Sequence, residues 1–204
     1  MGNVFFKPWV GKNYESGGIF GKKILVIGES HYCDGCNTCG SRPNDDECGV
    51  LTEIVVKKII NGGTSRWTGT FRKFEKSLIG HDTTPEQSAK IWQSLAFYNY
   101  LQVAVSNARE AGESHDYKAS ETAFFEVLDK LRPDLIIVWG VTRMWDNMPS
   151  QGWEKGEEIK IDNYSVKNGW YTLAGGHRVR SIWVYHPSAG YSWNWWNKVI
   201  RVIL

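Results

Sequence analysis

All four cysteines of this 204-residue chain fall between positions 33 and 48, as Cys33-x2-Cys36-x2-Cys39-x8-Cys48. Four thiolates so close together can surround one tetrahedral Zn²⁺ ion. Four protein ligands leave no position open for water, so such a metal would brace its loop and would not catalyse. An iron-sulfur cluster, free thiols or disulfides are the other states open to the same residues. A second chemical feature lies between Lys57 and Lys76. There Lys57, Lys58, Arg66, Arg72, Lys73 and Lys76 are interleaved with Trp67, Phe71 and Phe74 and face the single acid Glu75. Cations alternating with rings suit a phosphate-facing strip, although an amphipathic helix with merely solvated charges reads the same way. The third feature is a set of short polar segments that each follow an apolar run: Gly28-Glu29-Ser30-His31-Tyr32, Phe97-Tyr98-Asn99 and Tyr185-His186-Pro187-Ser188.

Positioning these segments requires regular elements, and the pattern supplies them. Residues 23–28 and 135–139 are short unbroken apolar runs ending at glycine, the mark of a strand buried on both faces. Thr84-Pro85-Glu86-Gln87 combines a capping threonine, a proline at the first helical position and a glutamine three residues after the cap, so a helix starts there. Leu95–Val103 is aromatic and β-branched enough for a strand. Ser120 is expected to cap a helix over Glu121–Leu131, which Arg132-Pro133-Asp134 stops. A short helix carries Met144, Trp145 and Met148, and residues 159–176 read as a polar hairpin or loop excursion. Val179–Tyr185 makes a last strand and Trp195–Leu204 a last helix. Strands alternating with helices predict one domain over 1–204, an α/β fold of three α/β/α layers around a central, mainly parallel sheet, with the Cys-rich loop at 33–48. In such sheets ligands bind at the carboxyl ends of the strands, so the three polar segments should converge on one crevice.

Composition narrows the class. With 42% hydrophobic and 23% charged residues the chain is an ordinary globular protein, which excludes disorder. No apolar run is long enough to span a bilayer, and the first residues lack the order of a signal peptide, so a cytoplasmic, monomeric protein with no membrane partner is expected. A net charge of +2 neither demands nor forbids a polyanion partner. Eleven tryptophans, nine tyrosines and eight phenylalanines are an unusual aromatic load, and some of these rings are expected to line a site.

The polar segments resemble those of the uracil-DNA glycosylase superfamily. Its members carry a first motif, in forms such as GQDPY or GEAPG, after the first core strand, where this chain has GESHY at 28–32. They carry a late HPS motif after the last core strand, here His186-Pro187-Ser188, and between the two an Asn that reads the base, which Asn99 matches. The resemblance spans most of the chain and implies the three-layer fold of that superfamily, DNA as partner, and a role in DNA repair by base excision: hydrolysis of the bond between sugar and uracil or another damaged base. His186 would stabilise the negative charge developing on the base. Glu29 would stabilise the oxocarbenium-like sugar and orient water. Asn99 would hydrogen-bond the pyrimidine edge and Tyr32 would exclude a 5-methyl group, with Gly28, Ser30 and Ser188 also at the substrate. The base would have to leave its stack to reach these groups. Ser30 stands where the GQDPY form has its water-activating Asp, and His31 replaces the Pro of both forms, so the carboxylate role falls to Glu29.

Arg66, Arg72 and Lys73 are the expected DNA contacts. Tyr191 or Trp193, just after HPS, would supply an apolar wedge at the minor groove, while Trp195 and Trp196 are expected to pack in the interior. The cysteine spacing is similar to the structural zinc lobe of medium-chain alcohol dehydrogenases, with one residue more before the fourth cysteine. Iron-sulfur glycosylases instead split their cysteines between the two ends of the domain. Zinc is therefore the expected metal, held by Cys33, Cys36, Cys39 and Cys48. The alternative to a hydrolase is a catalytically silent, zinc-stabilised nucleic-acid-binding module of the same fold.

Overall fold

The computed structural model describes residues 1–32, 46–107 and 110–204. Its sheet is built on four short strands whose side chains are buried throughout or nearly so: β2 (Ile24–Gly28), β3 (Leu95–Asn99), β4 (Leu135–Trp139) and β9 (Arg178–Val184). They run parallel in the spatial order β3-β2-β4-β9. Three antiparallel strands complete a seven-stranded mixed sheet. β1 (Trp9–Val10) lies outside β3, β8 (Asn168–Thr172) pairs with β9, and β5 (Trp153–Lys155) pairs with β8 and forms the other edge. A separate hairpin joins β6 (Ile159–Ile161) to β7 (Tyr164–Val166). Its turn holds Asp162 at φ +54°, a left-handed backbone that aspartate tolerates better than most residues.

Alternation along each parallel strand sends side chains to two separate cores. Leu25, Ile27, Tyr98, Ile136, Val138 and Trp183 face one side, where α4 (Ser114–Ala119), α5 (Glu121–Leu131) and α6 (Arg143–Asn147) lie. Ile24, Val26, Phe97, Ile137, Trp139 and Ile182 face the other, under α1 (Leu51–Ile60), α2 (Thr68–Ile79), α3 (Pro85–Ser94) and α7 (Trp193–Ile203). The expected α/β layering around a mostly parallel core is thus present, with β1 and β8 reversed and the edge strand β5 again running with the parallel set. Helices have to cover both faces because an unbroken apolar strand leaves neither fit for water.

Local expectations fare unevenly. The Thr84 capping box forms: its hydroxyl accepts the Gln87 N–H at 3.3 Å and the Gln87 side chain accepts the Thr84 N–H at 2.9 Å. α5 runs over Glu121–Leu131, and Arg132 terminates it in the left-handed conformation. Ser120 does not cap that helix. Its hydroxyl donates to the Asp116 carbonyl at 2.7 Å and accepts the Gln102 N–H at 3.1 Å. The strand expected to reach Val103 ends at Asn99, because the chain then turns alongside the first polar segment. Tyr100 N–H donates to the Gly28 carbonyl at 3.0 Å, Leu101 N–H to Glu29 at 2.9 Å and Val105 N–H to His31 at 2.8 Å. The 159–176 excursion resolves into the β6-β7 hairpin and β8, a member of the main sheet.

Candidate functional site at the carboxyl edge of the sheet

β2 connects outward to β3 on one side, and β4 connects to β9 on the other, so the sheet reverses its winding between β2 and β4. The crevice at such a reversal is where open α/β sheets bind ligands. Glu29 follows β2, Asn99 ends β3 and His186 lies two residues beyond β9. These three strands lie within the parallel set of four, about 10 Å of sheet separating β2 from β9.

Gly28 and Asn99 are register partners. A Cβ on Gly28 would come 2.3 Å from Asn99 Oδ1, so only glycine admits the Asn99 side chain here. Asn99 is buried, yet among the described residues its carboxamide takes no hydrogen bond; only its carbonyl does, from Gln102 Nε2 at 3.2 Å. A carboxamide on a largely enclosed residue, with no hydrogen bond among the described residues, is suited to find one in a ligand.

Glu29 is largely buried and fully engaged. The Tyr117 hydroxyl donates to one carboxylate oxygen, and Arg143 Nη2 lies 3.2 Å from the other. Burial and the neighbouring carboxylate push the Tyr117 phenol far above its ordinary value, so it stays a proton donor. Arg143 opens α6 just beyond Gly140, whose φ of +136° lets the chain turn sharply off β4. No motif marked Arg143 in the sequence. Its partners are supplied by residues 29 and 117, which only the fold brings to it.

His186 carries a determinate tautomer. Ser188 donates its main-chain N–H to His186 Nδ1 at 3.3 Å, and the Ser188 hydroxyl lies 2.7 Å from the same nitrogen. A main-chain N–H can only donate, so Nδ1 is an acceptor and the ring proton resides on Nε2. The imidazole stands edge-on to the Trp139 indole at 5.8 Å. Desolvation, reinforced by the positive charge of Arg143, holds its pKa down to about 4, so it is neutral at neutral pH.

Other expected residues lie elsewhere or do other work. Tyr32 is exposed beside this edge, bridged to Val105, and Ser30 is half-buried. His31, standing where the motifs that GESHY resembles have proline, turns inward: its Nε2 lies 2.9 Å from Thr52 Oγ1 and its ring 4.7 Å from Phe6. Residues 31 and 52 thereby close the segment that carries the cysteines. Cys48 sits in a 3-10 turn leading into α1, whereas Cys33, Cys36 and Cys39 lie outside the described residues. Among the described residues no group of three or more His, Cys, Asp or Glu could hold a metal. The case for a zinc ion rests on the cysteine spacing alone.

The basic strip divides in two. Arg66 and Lys73 are exposed. Arg72 instead points into the fold, where its guanidinium bonds the fully buried Glu75, the Ser88 hydroxyl and, at 2.9 Å, the Ile59 carbonyl. Glu75 also accepts from Trp92 Nε1 at 2.8 Å and Thr83 Oγ1 at 2.6 Å. Arg72 therefore compensates a buried carboxylate and is not presented to a phosphate. Tyr191 is buried too, stacked on Trp196, with its hydroxyl donating to Ser77 Oγ at 2.7 Å, so it is no exposed wedge. Trp193 is half-buried with Lys76 Nζ 5.9 Å from its ring centre, and Trp196 packs in the interior as expected. Trp195 is only half-buried, its indole N–H donating to Asp162 Oδ2 at 2.9 Å.

Among the described residues no helix is long and apolar enough to cross a membrane. Scanned against protein-family models the chain matches none, and no curated protein matches it in sequence.

Proposed function

We propose that the crevice between β2 and β4 hydrolyses the N-glycosidic bond of uracil or another damaged base in DNA. The observation that carries this reading is the state of His186: a neutral imidazole whose Nδ1 is occupied by Ser188, leaving an Nε2 proton to donate. A neutral donor fixed in advance stabilises an oxygen only as it becomes negative, which is the condition for lowering a barrier rather than merely tightening binding. Asn99 supports the same reading, since a carboxamide can donate and accept at a pyrimidine edge at once. Glu29 contributes negative charge beneath an oxocarbenium-like sugar, and the second lone pair on each of its oxygens remains able to orient water. Arg66 and Lys73 are among the exposed cations of the strip, with Lys57 and Lys58, and would meet the phosphate backbone.

The test is base release from a single-stranded or duplex oligonucleotide containing one uracil. His186→Ala should slow release on the order of 100-fold to 1000-fold while leaving DNA affinity nearly unchanged. DNA binding without release of uracil or of any other base tested would overturn the hydrolase reading in favour of a silent binding module. The engagement of both Glu29 oxygens by Tyr117 and Arg143 is the observation that favours that second reading.

A further inference from the structure

We propose that Arg143 is the residue that recognises negative charge in this crevice, its guanidinium oriented by Glu29 and Tyr117 so as to stabilise the base as it departs. The inference rests on the glycosylase reading and deepens it, because it moves Glu29 from acting on water to positioning a cation.

The geometry runs in one chain of contacts. Tyr117 fixes one oxygen of Glu29, and the other oxygen fixes Nη2 of Arg143. Glu29 is only 12% exposed, whereas Arg143 is 45% exposed, so the anchored end is inside and the free end faces outward. A guanidinium has five N–H donors, and among the described residues the Arg143 side chain is ion-paired with Glu29 alone. The remaining donors form a planar fork of the kind that binds an anionic oxygen-nitrogen edge. The charge of Arg143 also disfavours the His186 imidazolium. Beyond the carboxyl ends of the parallel strands the chain thus offers a permanent cation, a neutral N–H donor and a carboxylate already paired, which together suit one negative charge on a ligand. A departing pyrimidine carries that charge. The C1′–N bond breaks and its electron pair goes to the base, while water forms the new C1′–O bond and loses one proton to solution.

The experiment compares release of uracil and of 5-fluorouracil from otherwise identical oligonucleotides by wild type, Arg143→Gln, Arg143→Lys and Glu29→Gln. The fluoro base is the better leaving group and needs less help from the protein. Arg143→Gln should slow uracil release on the order of 100-fold and 5-fluorouracil release much less, with Arg143→Lys recovering part of the loss. Glu29→Gln should show the same leaving-group selectivity in weaker form. A second arm needs no turnover: calorimetric binding of free 5-fluorouracil from below to above its ionisation. Wild type should bind the anion more tightly than the neutral base, and Arg143→Gln should not distinguish them. Equal losses on both leaving groups, with no preference for the anion, would overturn the inference and leave the hydrolase reading intact. Arg143-dependent preference for the anion in a protein that releases no base would keep Arg143 as the anion-recognising residue and overturn both the hydrolase reading and the role of Arg143 in base departure.

Discussion

Asn99 occupies the space that a side chain on Gly28 would need: the two residues pair in register, and Oδ1 of Asn99 lies 2.3 Å from where a Cβ would stand. The glycine that ends β2 is therefore a steric requirement of the amide beside it. Gly28→Ala should cost about 1–3 kcal/mol, the usual penalty for overfilling a packed site. It should also displace the carboxamide. Denaturant titration reads the first effect, and loss of discrimination between uracil and cytosine reads the second. Unchanged stability would show that Asn99 is free to move aside.

Two histidines contribute to the response to acid. Burial holds His31 at about 4, and burial with Arg143 does the same for His186, against about 6.5 for an unfolded histidine. Between those values the unfolded chain binds more protons, so stability falls as pH drops from about 6.5 to about 4. For His31, which is almost wholly enclosed, the full loss is on the order of 3 kcal/mol below that window. Denaturation midpoints measured across the window should fall with pH. His31→Gln should remove its share of the slope and leave that of His186.

Arg72 and Lys73 are neighbours in sequence with opposite fates. Arg72→Ala leaves the buried Glu75 carboxylate without its cation and should cost about 3–5 kcal/mol. Lys73→Glu, on the exposed face of α2, should change stability by less than about 0.5 kcal/mol while weakening binding to all DNA sequences alike and flattening the salt dependence. Thermal melts and salt-dependent binding isotherms separate the two. A stable Arg72→Ala protein would mean that Ser88, Trp92 and Thr83 suffice to hold the carboxylate.

The cysteines yield a metal prediction. Protein prepared without chelators or oxidants should contain about one equivalent of zinc, and its removal should lower the melting temperature, since metal bound only by the folded chain is folding energy. Cys48→Ser should reduce the zinc content. Metal analysis that finds iron instead would assign the cluster, and neither metal would leave free thiols or disulfides.

Much of the fold was legible because it depends on local signals. The apolar runs 24–28 and 135–139, the Thr84 capping box and the amphipathic α5 are each specified by residues within a few positions of one another. The misreadings share a different cause. Leu95–Val103 has strand composition throughout, but the strand stops at Asn99 because residues 100–105 are held by carbonyls of residues 28–31. Ser120 has the right spacing to cap, yet partners at 102 and 116 take its hydroxyl. The site divides the same way. Gly28, Glu29, Asn99 and His186 stand at strand ends that the sequence marks, whereas Arg143 has its importance conferred by Glu29, 114 positions away. Arg72 and Tyr191 look like surface chemistry until burial is known, because their partners Glu75, Ser88 and Ser77 carry no pattern of their own.

The two ends of the sheet bear on how the protein behaves at high concentration. β1 offers two residues of backbone and β5 three, and in β5 the exposed Glu154 and Lys155 sit at that rim. A strand arriving from another copy would find almost no unpaired amides to template it, and charge where it did. Growth by strand addition, the route to fibrillar self-assembly, is therefore disfavoured at both margins of the seven-stranded sheet. Loss of solubility should require unfolding first, when the buried runs of β2 and β4 become accessible.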